Sequence, residues 1–183
     1  MPARQLGEPG PDDVTLLRML QSAVRVPDHG KRVPFRFIRI AGDARQALGE
    51  AVAERGVRRD PAGGAAAIDK DRHRFTHAPL VIAVVAVLDP ADTQIPELER
   101  TLTVGSVCFA LLQAAQALGF GATWLTGWPA FDREVLDLLG LQPEEQLAGF
   151  IHIGTAGMEA PERERPDAAG LLTDWDPKDG SPR

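Results

Sequence analysis

Cysteine occurs once in the 183 residues, at position 108, so no internal disulfide can form and no cysteine cage for a metal exists. A lone thiol suits reducing cytosol, and a cytoplasmic protein is the expectation. Long hydrophobic runs are missing too. The longest, "PLVIAVVAVL" at 79–88, falls well short of the ~20 residues a spanning helix needs, so no membrane partner is expected. The opening "MPARQLGEPGPDD" lacks the apolar core of a secretory signal. Positive charge is not in excess: 20 Lys and Arg stand against 26 Asp and Glu, a formal charge of −6. That balance excludes the basic stripe of a general nucleic-acid binder and leaves room only for a local cationic site.

Familiar catalytic signatures are also absent. The serines at 22, 106 and 181 sit in no G-x-S-x-G elbow. His73 and His77 have i, i+4 spacing, but no H-E-x-x-H pattern accompanies them, and no metal is expected. No strand pattern is followed by G-x-G-x-x-G, and there is no Walker loop. Cys108 lies in the most apolar helical stretch, where a thiol behaves as a small hydrophobe.

What remains reads as one ordinary globular domain, 44% hydrophobic and 25% charged. Residues 1–11, with three prolines, should be extended. "DDVTLLRMLQSAVR" has helical spacing with Asp12 or Asp13 as N-cap, and Pro27 closes it. "PFRFIRI" (34–40) alternates as a strand, and Asp43 opens a second helix over 42–56. Within 58–79 only Ala65 to His77 suggests helix. The run 79–88 is a buried strand, and "LDPADTQIPELER" (88–100) should be a mobile loop. Residues 97–118 form the longest helical pattern, apolar nearly all round, which predicts burial on every side and packing against a second subunit. "ATWLT" is a short strand, 132–140 a helix, 147–156 the last strand. The polar tail has only Leu171, Leu172 and Trp175 as anchors. Four strands separated by helices predict a layered architecture, divided as an extended segment 1–11, a domain 12–156 and an irregular tail 157–183.

Two stretches could carry chemistry. "VRVPDHGKRVPFRF" (24–37) sets four cations and His29 at a helix-to-strand junction. Guanidinium forks and an imidazole make a grip for an anionic or electron-rich ligand, while a dipole-offsetting Arg25 and solvated Lys31 and Arg32 describe the same residues without one. "GFGATWLTG" (119–127) is the other, either a ligand wall with glycines that let a backbone come close or a plain turn with a core tryptophan.

Taken together, these segments resemble the FMN-dependent nitroreductase family, in particular its short, YdjA-like subgroup. "RVPDHGKRVPFRFIRI", "HAPLVIAVVA", "TVGSVCFALLQAAQALGFGATWLTG" and "FIHIGTA" follow the family's order over roughly residues 4 to 156. The resemblance implies an α+β fold, a three-layer α/β/α sandwich with a long buried central helix, and a homodimer with FMN at each interface. It implies that Arg25 and His29 reach the flavin from the opposite subunit, while Trp124, Leu125 and Thr126 line it. Hydride would pass from NADH or NADPH through FMN to a small acceptor such as a nitroaromatic or quinone, the flavin carrying the chemistry with no protein acid or base required. Relatives open with an R-R-S motif that holds the FMN phosphate. Here the chain starts about where that motif should finish; the nearest residues are Met1, Pro2, Ala3 and Arg4, and Arg4, just after the matching positions, is the candidate substitute. Arg163 and Arg165 are further phosphate candidates, or else a solvated charge run. The missing motif implies weak FMN affinity or a start lying upstream, and leaves a second reading open: a dimeric flavin- or small-molecule-binding protein with weak or lost redox activity.

Overall fold

In the computed structural model, which describes residues 3–158 and 162–175, a 3-10 turn at Ala3–Gln5 leads into strand β1 (Leu6–Gly7) and helix α1 (Asp13–Ala23). There follow β2 (Phe35–Ala41), α2 (Asp43–Arg59), α3 (Ala65–Arg72), β3 (Leu80–Ala86), α4 (Glu97–Ala117), β4 (Gly121–Leu125), α5 (Arg133–Leu138) and β5 (Gln146–Ala156). The helix starts follow their local chemistry. Asp12 caps α1 by accepting from the Thr15 N–H at 2.7 Å, and Asp132 caps α5 through the Val135 N–H.

Every strand pairing is antiparallel. The sheet runs β2–β3–β5; β4 pairs with β5 along residues 150–154, and β1 pairs with residues 155–156 of β5, beyond the end of the β3 pairing at Ile153. The fifth strand, β1, comes from the N-terminal segment that the sequence marked only as extended. Two residues carry no readable alternation, yet Leu6 is fully buried and paired with Ala156.

Strand β3 is buried along its whole length, and its alternation divides the core. Leu80, Ile82, Val84 and Ala86 pack with Leu16, Met19 and Ala23 of α1 and with Val104, Val107, Cys108 and Leu111 of α4. Val81, Ala83 and Val85 face the other way, against Leu48 and Val52 of α2, Val135 and Leu136 of α5, Phe75 and Phe150. Helices therefore cover both faces, giving the three layers.

Helix α4 departs from the all-round burial its sequence predicts. One side packs on the sheet and α1, but Leu98, Leu102 and Phe109 are 69%, 61% and 59% exposed. Among the described residues nothing covers that side. The segment 88–96 is pinned rather than loose: Arg100, itself buried, donates to the Asp89 carbonyl at 2.7 Å, and Ile95 is buried. The helix expected near Ala65 ends at Arg72, so His73 is its cap and His77 lies beyond it, and the two share no helix face.

One buried polar group stands out. His152 on β5 stacks on Phe75 with ring centroids 6.2 Å apart and neither ring nitrogen has a hydrogen-bond partner among the described residues. Burial, with His77 and Arg74 nearby, pushes its pKa from an ordinary 6.5 down to about 4. Between those values the unfolded chain takes a proton that the folded chain refuses. Stability is therefore full above pH 6.5, and about 3 kcal/mol of it is lost as pH falls to 4, with no further loss from this group below that. Urea unfolding at pH 7 and pH 4.5 should show this loss in the wild type and a clearly smaller one in His152→Leu; equal losses would refute it.

Candidate functional site

The basic junction is built around Asp28. Helix α1 ends at Ala23, and the chain then turns through Gly30 (φ 70°), Lys31 (φ 52°) and Val33 (φ 50°). A β-branched residue at positive φ is strongly disfavoured, so something must hold the turn. Arg32 in the right-handed and Val33 in the left-handed region aim successive N–H groups into one concavity, and the Asp28 carboxylate fills it at 3.1 and 2.8 Å. The anion that this backbone binds is the protein's own.

Most of the positive charge here is likewise engaged. Arg32 donates to Asp92 at 2.8 Å and to Gln94 at 2.8 Å, tying the turn to segment 88–96. Arg36 grips the buried Glu145 through two nitrogens. The guanidiniums of Arg32 and Arg36 hold the Asp92 and Glu145 carboxyls below the usual carboxylate range. Arg25 and Lys31 form no ion pair among the described residues, so they are the junction's free cations.

His29 is fixed from α4. Its Nδ1 lies 2.7 Å from Glu99 Oε2, and Thr103 Oγ1 donates to the Pro27 carbonyl at 3.0 Å. A depression of about 200 Å³ opens between Pro27, His29, Glu99, Leu102, Thr103 and Ser106. Leu102 and Ser106 also line a broader apolar groove of about 630 Å³, together with Val26, Gly105, Phe109 and Trp124. The two form one concave strip along the exposed side of α4, with His29 at one end and Trp124 at the other.

Trp124 is held flat by a defect in the sheet. The β3–β5 register slips between Val84 and Val85, leaving Ala148 out of the pairing, and the Ala148 carbonyl accepts from Trp124 Nε1 at 3.0 Å. The indole lies directly on Gly149, where an added Cβ would collide with it. Gly105 is the reverse case. In the interior of a 21-residue helix glycine costs about 1 kcal/mol relative to alanine, yet nothing lies within 4 Å of where its Cβ would be. Internal packing does not require this glycine; the groove floor is where its absence of side chain shows.

The other sequence candidates fall differently. Pleat alternation turns Leu125 to the face opposite Trp124, and Thr126 follows the strand, exposed. The turn beyond them is anchored by Trp128 Nε1 and Arg74, which both donate to the Asp71 carboxylate, at 3.0 and 2.7 Å. Arg163 and Arg165 are exposed in the tail, Arg165 only 3.8 Å from Glu162, and neither lines the groove. Arg4 belongs to the first 3-10 turn, and its side chain lies outside the described residues. Cys108 faces the core, its thiol pushed up to about 12 by burial, and is inert. Glu99, Leu102, Gly105 and Phe109 escaped the sequence reading. A glycine in the middle of a long apolar helix was the signal for them.

This layered fold has solved counterparts. A nitroreductase-like family protein of Bacillus cereus superimposes with a TM-score of 0.78 at 21% identity, over 94% of this chain and 90% of that one. A protein of Desulfovibrio desulfuricans, named as a nitroreductase and solved with FMN, gives 0.72 at 21%, again over 94% and 90%. The fold is thus that of the nitroreductases. In sequence, residues 4–155 match the model of the nitroreductase family, and YdjA of Escherichia coli (strain K12), which carries the name of an NAD(P)H nitroreductase, is 33% identical over 160 residues, 86% of this chain and 85% of its own. The chain belongs to the nitroreductase family, and so to a class of oxidoreductases.

If the groove exists for something to lie against Gly105, filling it separates stability from binding. Gly105→Ala should raise the unfolding free energy of the subunit by about 0.5–1 kcal/mol, while Gly105→Leu weakens binding of added flavin at least tenfold. Unchanged flavin titration in Gly105→Leu would remove the groove from the site.

Proposed function

We propose that the protein is an FMN-dependent NAD(P)H oxidoreductase that works as a homodimer in the cytoplasm. It passes hydride from NADH or NADPH to a small electron-poor acceptor such as a nitroaromatic or a quinone. The observation that carries this is the aromatic-walled strip along α4, with Trp124 flat at one end and His29 beside free cations at the other. A flat heteroaromatic ring system with a polar edge and an anionic tail matches that layout. Family membership, the name carried by YdjA and the FMN in the Desulfovibrio desulfuricans structure point the same way.

The residues present fit such a ligand. Trp124 supplies an apolar face, Gly105 gives it room, and His29 offers a ring nitrogen at the strip's polar end. Arg25 supplies positive charge for an electron-rich edge, and Thr126 and the Leu125 backbone border the wall. Arg4, Arg163 and Arg165 are the proposed cations for the phosphate. FMN held there would supply the hydride chemistry, while the chain's own residues would bind it, orient it and exclude water.

The second subunit follows from α4. Leu98, Leu102 and Phe109 make an uncovered apolar surface continuous with the groove, the kind that marks a subunit interface. In such a dimer the strips of the two protomers meet, and Arg25 and His29 of one protomer are proposed to reach the flavin of the other. Among the described residues no helix is long and apolar enough to cross a membrane, in keeping with this placement.

Purified protein should be yellow or take up added FMN, and its visible flavin band should bleach anaerobically with NADH or NADPH. Colourless protein that takes up no FMN would overturn the proposal, whereas FMN uptake without bleaching would leave only a binding protein. Arg25→Ala should raise the FMN dissociation constant about tenfold or more, the loss of one charge-assisted contact. Leu102→Glu should convert a dimer to monomer in sedimentation; a monomeric wild type would refute the interface.

A further inference from the structure

We propose that Glu99 is a positioning residue for His29: its carboxylate selects the ring form with the proton on Nδ1, so that Nε2 is the atom presented to the strip along α4. The identity of the ligand rests on the flavin reading above, whereas the pairing itself does not.

Both partners are set by their backbones. The single O–H of Thr103 is shared between the Pro27 carbonyl at 3.0 Å and the Glu99 carbonyl at 3.2 Å, which fastens the start of the junction to the first turn of α4. Asp28, next in the chain, is locked by its two bonds to the N–H groups of Arg32 and Val33. His29 thus leaves a clamped backbone with its Nδ1 2.7 Å from Glu99 Oε2. An ionised carboxylate can only accept, so the ring must donate from Nδ1. In the neutral ring Nε2 then carries no proton and is an acceptor. Such an atom complements an N–H or hydroxyl of the ligand, and a ring free to exchange its proton between nitrogens would offer that acceptor only part of the time. No other hydrogen bond to the His29 ring exists among the described residues, so Glu99 alone makes the selection.

Stability is not the reason for the pair. His29 and Glu99 are 65% and 45% exposed in the single chain, and ion pairs at such positions contribute little to folding. An acidic residue in the first turn of α4 gains something from the helix dipole, but any of the first few positions would serve for that. What is particular to position 99 is reach to the imidazole. Both residues line the depression that shares Leu102 and Ser106 with the groove, so the imidazole sits at the border of the strip.

Nitrogen-15 NMR of the unliganded protein at pH 8 tests this. The four histidines can be told apart at position 29 by the signals that vanish in His29→Gln. In the wild type, Nδ1 of His29 should be protonated and Nε2 bare. Glu99→Ala should shift the proton toward Nε2, and Glu99→Gln, whose amide oxygen still accepts, should restore the wild-type pattern. With FMN as probe, Glu99→Ala should raise the dissociation constant about five- to twentyfold in the wild-type background and hardly at all in His29→Gln. Its thermal midpoint should stay within about 1 °C of wild type. An unchanged tautomer in Glu99→Ala, or equal FMN losses with and without His29, would overturn the inference. A tautomer that switches in a protein binding no FMN would uphold the Glu99–His29 selection and bring down the flavin reading alone.

Discussion

Strand β3 is bonded on one edge to β2 and on the other to β5, and its seven residues reach apolar neighbours on both faces. A strand in that position leaves no freedom to the elements around it. Helices must close both faces, because a half-covered sheet would leave Ile82 or Val81 in water. Helix α4 takes the face of Leu80, Ile82 and Val84, and its inner stripe of Val104, Val107, Cys108 and Leu111 is used up in doing so. Its outer stripe is left for something other than folding. The site is therefore a by-product of how one strand had to be covered: the same helix that seals the core offers its opposite side as the floor of the strip.

Charge follows a similar economy. A cluster of cations at a helix-to-strand junction invites a reading as a ligand grip, yet Arg32 and Arg36 are spent on Asp92 and Glu145. Those pairs fasten the junction to segment 88–96 and to the turn before β5, distant in sequence. The aspartate of "PDHGKR" does comparable work on the backbone by satisfying two N–H groups that a left-handed turn would otherwise leave exposed. With these commitments made, few groups remain for the proposed site: one arginine at the end of α1, one lysine at the turn, and an imidazole braced by a carboxylate.

Much of this was readable from the chain alone. The β-branched run at 79–88 could hardly be anything but a buried strand, Asp12 announced a cap, and the apolarity of 97–118 announced the long helix that seals one face of the sheet. The family could be named because these pieces came in order. What stayed hidden depends on residues far apart in sequence. No local pattern joins Arg32 to Asp92 or His29 to Glu99, and a two-residue strand such as β1 has no period to detect. Nor does "TWLTG" reveal that a slipped register at Ala148 waits for the indole nitrogen, or that Leu125 must turn away from its neighbour.

That bond from Trp124 Nε1 to the Ala148 carbonyl has a consequence for selectivity. Its only N–H being committed inside the sheet, the indole has no directional group to offer outward. It presents a surface without a lock. Whatever lies against it is sorted by flatness and thickness, and substituents that keep a molecule planar go unread. On the proposed reading, tolerance toward many shapes of flat guest follows from the strand pairing at Ala148, in the same sheet as the indole.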